Sequence, residues 1–297
     1  TWRPKKYDGT FGTNGFWLPM DGNSPIGKDM SGQGNDWTPV NFGGSNSIEK
    51  ATGALPILNT TQGGTQAGVG VRTDAYFANI ALAVPFVGNT DDVSHLVNSS
   101  QSQKADTNTG STATNALSNF YSGSRDFDGS NDTCSFASVP ACGAGDWTVE
   151  FWVYSEASAI DNVYRRIVST GTNATSAIQI GHIGTGARDG GYITYTHSDN
   201  SVYAVNTSKV TDRWAHIAVV RESGSVNVYT DGIKGTTADS DTNNKTGTTW
   251  YVSGYGGDNT SNPGGRFNGK IQDLRVYPGI AKYTSNFIPA STSPDIL

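Results

Sequence analysis

From residue 77 onward the sequence is cut into short apolar or alternating runs, about 8 to 12 residues apart, with turn residues between them. That spacing is too short for helices of ordinary length and suits antiparallel strands closed into a sandwich or barrel. The runs predict strands over 78–86, 123–128, 132–138, 147–155, 163–170, 176–183, 191–197, 201–206, 213–222, 225–231, 248–254 and 266–277. Residues 214–232, WAHIAVVRESGSVNVYTDG, read as a hairpin: two alternating runs joined by a turn at Glu222–Ser225, then a two-residue turn at Asp231–Gly232. In DWTVEFWVYS, Trp147, Val149, Phe151 and Val153 face one way and Thr148, Glu150, Trp152 and Tyr154 the other. Both faces are partly apolar, which places this strand at the centre of a sheet with cover on both sides.

Composition agrees with an all-β chain. Of 297 residues, 37 are Gly and only 15% are charged, and Glu49, Glu150, Glu156 and Glu222 are the only glutamates. Such a chain is rich in turn formers and poor in helix formers. A net charge of −6 supplies no basic footprint for nucleic acid, and no apolar run approaches the length needed to insert in a membrane. Cys134 and Cys142 leave two readings open, a short staple or two reduced thiols. The chain starts at Thr1 rather than Met, which leaves room for residues upstream.

Residues 1–76 differ in character: a basic, Gly-rich start, one short strand at 15–20, then mostly loop chemistry. We expect them to form an extended arm lying against something else, and residues 77–297 to form the complete domain. One phrase occurs in both parts. GFWLPMDGNSPIGKDMSGQGNDW (15–37) and NIALAVPFVGNTDDVSHLVNSSQ (79–101) each run from a strand with a Pro near its end into an Asp-x-Ser step, Asp29–Ser31 and Asp92–Ser94. A truncated repeat that lends a strand to an adjoining sheet edge is the preferred reading; chance similarity in a Gly/Asn/Ser-rich chain is the other.

Four phrases occur in a recognisable order: YSGSRDFDGSNDTCSF, DWTVEFWVY, RWAHIAVVRESGSVNVYTDGIKG and GRFNGKIQDLRVYPGIAKYTSNFIP. The most specific pieces are Trp214-x-His216-Ile-Ala, Tyr229-x-Asp231-Gly232 and Asn268-Gly269-x-Ile271-x-Asp273-x-Arg275. Together they resemble the laminin-G-like, concanavalin-A-like jelly-roll, over about residues 78–290. The resemblance implies two antiparallel sheets with the first and last strands side by side. The N-terminal phrase YDGTFGTNGFWLPMDGNSPIGKDMSGQGNDWTPVNF is similar to segments of marine tailed-phage structural proteins.

A hydrolase on this fold needs two carboxylates held close together, and no Glu-x-Asp-x-x-Glu phrase is present. No nucleophile elbow, zinc-binding helix motif or phosphate loop is found either, and His95, His182, His197 and His216 have no metal-like spacing. His216 reads as a packed strand histidine and Asp273 with Arg275 as a structural pair on one strand face. The expectation is therefore no enzyme. Asp239, Asp241 and Asn243 have the first, third and fifth spacing of a calcium loop, but Asn244 and Trp250 stand where Gly and Glu are required, and a solvated hairpin tip is the competing reading. For a glycan, Trp250, Tyr251 and Tyr255 beside Asp258 and Asn259 would supply a stacking face with planar polar groups, while Trp250 as a core residue is the competing reading. The expected function is a virion protein, a tail fibre or capsid appendage on an extracellular particle. Its jelly-roll would contact host-surface polysaccharide or other virion proteins, and the arm would mediate homo-oligomerisation. A purely structural attachment module and, behind it, a polysaccharide-degrading enzyme are the alternatives.

Overall fold

The computed structural model describes residues 9–18, 27, 29–38, 76–119, 123–157, 164–171, 175–182, 191–197, 204–206, 208–254, 265–287 and 289. In chain order the strands are β1 (Leu82–Val84), β2 (Asp106–Thr109), β3 (Thr112–Thr114), β4 (Ser124–Asp128), β5 (Thr133–Phe136) and β6 (Trp147–Ser155). There follow β7 (Arg165–Ser169), β8 (Gln179–His182), β9 (Ile193–Thr196), β10 (Ala204–Val205) and β11 (Trp214–Glu222). The last are β12 (Ser225–Thr230), β13 (Ile233–Lys234), β14 (Asp239–Ser240), β15 (Trp250–Val252) and β16 (Asn268–Pro278). The helical elements that lie wholly among the described residues are the single turns Phe77–Asn79 and Ser94–Val97, and no helix there is long and apolar enough to cross a membrane.

The strands form two antiparallel sheets of a sandwich. The nine-stranded sheet runs β13-β12-β11-β6-β16-β4-β3, with β1 on β16 and β14 on β12; the seven-stranded sheet runs β10-β9-β8-β7-β15-β5-β2. The first and last strands lie side by side, Leu82, Ala83 and Val84 opposite Val276, Arg275 and Leu274. β6 is central, between β11 and β16, and Trp147, Val149, Phe151 and Val153 all point into the core between the sheets. Residues at the same parity on β11, β15 and β16 complete that core: Ile217 and Val219, Trp250 and Val252, Leu274 and Val276.

The hairpin turns follow their sequence. Ser223–Gly224 and Asp231–Gly232 both have positive φ, as the twist of two-residue hairpin loops requires. At Gly232 a Cβ would collide with the carbonyl oxygen of Phe287, so glycine there serves both the turn and the segment lying on it. β2 and β3 are not predicted by hydrophobic pattern. Their residues, DTNT and TAT, are almost all polar because these strands are sheet edges, where an apolar face has nothing to cover it. Gly110 (φ +80°) lies between them, where the chain passes from the seven-stranded to the nine-stranded sheet. Cys134 and Cys142 are buried free thiols, and burial pushes both up to about 12.

One buried titratable group makes the sandwich acid-sensitive. His182 on β8 faces inward, its Nε2 2.6 Å from Ser155 Oγ on β6. Burial brings its pKa from 6.5 down to about 4. Between those values the unfolded chain binds a proton that the folded chain excludes, so stability falls as the pH drops through this window. The expected loss between pH 7.5 and pH 5 is about 2 kcal/mol. Urea unfolding of the protein and of His182→Gln at both pH values measures it. The variant should lack this part of the slope; an equal slope in both proteins would assign the acid sensitivity to other groups.

Candidate functional site

The inner and outer faces of the seven-stranded sheet could hardly differ more. The register aligns Thr107, Ser135, Tyr251, Ser169, Gln179 and Thr196 in one line across β2, β5, β15, β7, β8 and β9. The neighbouring line, Cys134, Val252, Val168, Ile180 and Tyr195, points into the core. The outer line thus carries hydroxyls, one carboxamide and one phenol ring. Beside it on the same face Arg166 and Thr194 flank Gly181.

This face is graded. At the β8–β9 end Gln179, Thr194 and Thr196 are fully buried and bonded: Arg166 Nε donates to Gln179 Oε1 (2.7 Å), Thr194 donates to Gly181 O (3.1 Å), and the Tyr164 hydroxyl lies 3.1 Å from Thr196 Oγ1. The Arg166 guanidinium sits 5.1 Å from the Tyr164 ring centre. At the other end Thr107 is exposed and Ser135 and Tyr251 are half-buried. That end offers a partly open ring bordered by hydroxyls, the arrangement on which a sugar ring stacks and is held by its own hydroxyls.

The candidate stacking residues divide accordingly. Trp250 is completely buried in the core opposite Phe136, so the core reading of this residue holds and no sugar can reach it. Strand alternation turns its neighbour Tyr251 outward instead. Tyr255, Asp258 and Asn259 lie outside the described residues, in the segment that follows β15.

The Asp239–Asp241–Asn243 loop is built around a cation of the chain itself. Lys245 Nζ lies 2.6 Å from Asp241 Oδ2 and donates to the carbonyls of Thr175 (2.7 Å) and Ala177 (3.1 Å). Asp241 also accepts from the Tyr195 hydroxyl and, at Oδ1, from the backbone and side-chain nitrogens of Asn243 (2.9 Å each). Burial raises the Asp241 carboxyl, but the bonds from Lys245, Tyr195 and Asn243 outweigh it and bring it to about 2. Asp239 pairs with His197 Nε2 at 3.4 Å, and ligand atoms of His197, Asp239 and Asp241 come within 4.8 Å of one another. A divalent cation there would face the Lys245 ammonium, and the Asn243 nitrogen rather than its oxygen points at Asp241, so the donor set does not fit calcium.

The outer face of the nine-stranded sheet holds the buried charges. Glu150 on β6 accepts from Lys282 Nζ (2.6 Å), Tyr277 OH (3.0 Å) and Tyr283 OH (2.7 Å), with His216 Nε2 at 3.5 Å. Arg275 lies 3.9 Å from Glu150 and grips Asp273 at 2.9 and 2.6 Å, where β16 shifts register and Asp273 takes positive φ. Burial raises the Glu150 carboxyl; Lys282, the hydrogen bond from His216 and Arg275 outweigh it and hold it well below the carboxylate range. The segment Ile280–Phe287 closes this face: Lys282 N donates to Thr148 Oγ1, Phe287 N to Gly232 O, and the Tyr283 and Phe287 rings stack at 3.6 Å. His216 packs edge-on against Trp152 and Phe287, as a strand histidine. Two carboxylates thus share one guanidinium, but both are buried, Glu150 under the closing segment. At one end of the central strands Tyr154 and Trp214 form an edge-to-face pair beside Lys270, whose ammonium is shared by Asp126 (3.1 Å) and Glu156 (2.8 Å).

The sequence pattern of the Concanavalin A-like lectin/glucanases superfamily matches residues 128–281. No curated protein sequence matches the chain. Among solved structures it is similar to domain 4 of AbnA, a GH43 extracellular arabinanase from Geobacillus stearothermophilus in complex with arabinotriose (15% identity, 68% of this chain, 94% of that one, TM-score 0.47). It is also similar to the botulinum neurotoxin serotype D binding domain (13%, 69% and 49%, TM-score 0.45). A third is a mutant of Trypanosoma rangeli sialidase displaying trans-sialidase activity (11%, 77% and 34%, TM-score 0.49). The chain thus spans about half of the toxin domain and a third of the sialidase, and none of these likenesses extends to function.

Proposed function

The chain belongs to the Concanavalin A-like lectin/glucanases superfamily, and we propose that it is a glycan-binding adhesion module whose platform is the open end of the polar face around Tyr251. The observation that carries this reading is the six-residue line across the seven-stranded sheet. It is free of aliphatic side chains and opens at a half-buried tyrosine between hydroxyl residues. Tyr255, Asp258 and Asn259 follow Tyr251 by four to eight residues and extend the same proposal. The Tyr154–Trp214 pair is the weaker platform, because the charges beside it are already joined through Lys270.

The module works without catalysis in this proposal. Glu150 is clamped and covered, and a carboxyl held so far below its ordinary range cannot serve as a general acid. We place the protein on an extracellular particle, as a tail fibre or capsid appendage, on the strength of its N-terminal phrase. Residues 1–76 act there as the assembly arm and 77–297 as the adhesion domain. A structural attachment role without glycan is the second reading.

Calorimetric titration of the purified chain with soluble bacterial surface polysaccharides tests the proposal. We expect saturable binding and about a tenfold loss in Tyr251→Ala. Equal binding by the variant would remove the platform from this face. No binding to any polysaccharide would leave the structural role.

A further inference from the structure

The repeated phrase is a repeated structure. In the sandwich, Asp92 Oδ1 accepts from Ala83 N (3.0 Å) and Ser94 N (2.9 Å), and Oδ2 from Ser94 Oγ (2.8 Å) and Lys104 N (2.9 Å). In the arm, Asp29 Oδ1 accepts from Trp17 N (2.9 Å) and Ser31 N (2.8 Å), and Oδ2 from Ser31 Oγ (2.8 Å) and Asn35 N (2.8 Å). The next residue closes each clasp: Val93 N donates to Ala83 O and Met30 N to Trp17 O, both at 2.8 Å. In each unit an asparagine side chain six residues after the Asp donates to two carbonyls that are two residues apart, Asn98 to Ala78 and Ile80, Asn35 to Thr13 and Gly15. The spacings differ, nine against twelve residues from the clasped residue to the Asp and twelve against six from the Asp to the last donor, but the Asp-to-Ser bonds and the backbone bond from the residue between them recur in both units.

The two units differ in what covers the segment ahead of the clasp: β1 in the sandwich, and in the arm residues 15–18, which belong to no strand, contrary to the strand expected from residue 15. Aligned on the clasped residue, Phe16 corresponds to Leu82 and Leu18 to Val84. Leu82 and Val84 are fully buried, and their strand is paired with β16. Phe16 is 44% exposed, its ring 4.6 Å from that of Trp37, itself 54% exposed, and neither Phe16 nor Leu18 is paired with a strand among the described residues. The backbone groups of a strand alternate between its two edges. The clasp takes one edge, at Trp17; the other is the edge that β16 takes in the sandwich.

We propose that residues 15–18 are a donor strand, and that its partner is the closing strand of another jelly-roll sheet, one that lacks a first strand of its own. The template is the chain's own β1–β16 seam, which shows the kind of surface this clasped strand covers. A second copy of this sandwich is a poor acceptor. Its β16 already carries β1, and Ala83, fully buried against Ile80, Val97 and Tyr277, leaves no room for Trp17 at the equivalent place. Main-chain hydrogen bonds would supply the affinity and Phe16 and Trp37 the apolar cover. The inference deepens the reading of residues 1–76 as an assembly arm and is independent of the glycan face.

The test uses the intact chain and a synthetic peptide of residues 268–278, NGKIQDLRVYP, as the probe for a closing strand. Hydrogen exchange is followed at the amides of Phe16 and Leu18. We expect the peptide to slow both by about tenfold at saturation. A scrambled peptide should not, nor should the native peptide acting on Asp29→Ala, in which the clasp is undone. Unchanged exchange with the native peptide would overturn the proposal, as would equal slowing in Asp29→Ala. Light scattering on the chain alone and on Phe16→Asp separates the remaining occupant. Self-association abolished by Phe16→Asp would make the partner a second copy, keeping the assembly arm and overturning the donor strand.

Discussion

Glu150→Ala is expected to lose about 3–5 kcal/mol of stability, read as a lower urea midpoint at pH 7. The carboxylate is the common acceptor for Lys282, Tyr277 and Tyr283, and the Lys282 ammonium is fully buried. Without it that ammonium must deprotonate or pull Ile280–Phe287 off the sheet. The stacked Tyr283 and Phe287 rings would come away with it, exposing Trp152 and His216. A Glu150→Met, Lys282→Met double variant separates charge from packing. Replacing both partners by apolar side chains leaves no stranded charge, so it should recover most of the loss. If the single variant melts like the parent, the cluster does not hold the closing segment.

Lys245→Met is expected to lose about 3 kcal/mol, and the parent's melting temperature should be indifferent to calcium or chelator. Removing the ammonium leaves Asp241 ionised and buried, with only Tyr195 and Asn243 to hold it. The carbonyls of Thr175 and Ala177 lose their donor, freeing the approach to β8. Arg221, fully buried, still grips the carbonyls of Gly143, Gly145 and Asn243, which is why the loss should stop short of unfolding. Because Asp241 is brought down to about 2, its contribution is complete above its unfolded value of 3.8 and fades as the pH falls toward 2. A parent that gains several degrees with calcium would mean that a metal, rather than Lys245, balances this loop.

The sequence made the architecture legible wherever one face of a strand is apolar. The alternation in DWTVEFWVYS identified β6 as a central strand, and Glu222–Ser225 and Asp231–Gly232 marked the two hairpin turns. It was silent for β2 and β3, whose edge positions demand no apolar residue. At β15 the signal was present: in TTWYVSG, Trp250 and Val252 share one parity and Thr249, Tyr251 and Ser253 the other, which turns the tyrosine outward. Two adjacent aromatic residues obscured it. The role of Lys245 could not be read locally, since two of its acceptors, Thr175 and Ala177, come from about seventy residues upstream. The same holds for Lys282, whose carboxylate partner is 132 residues away. The Asp-x-Ser repeat could be seen in the sequence, but only the matched hydrogen bonds turned a similarity of phrase into a duplicated clasp.

Glycan held on the outer face of the seven-stranded sheet, as proposed, would shield the backbone beneath it. Hydrogen exchange of the intact protein, with and without a saturating bound polysaccharide, tests it most directly. We expect slowed exchange around Thr107, Thr133–Phe136 and Trp250–Val252, with the β6, β11 and β16 amides unchanged. Slowing confined to Tyr154 and Trp214 on the opposite sheet would contradict it.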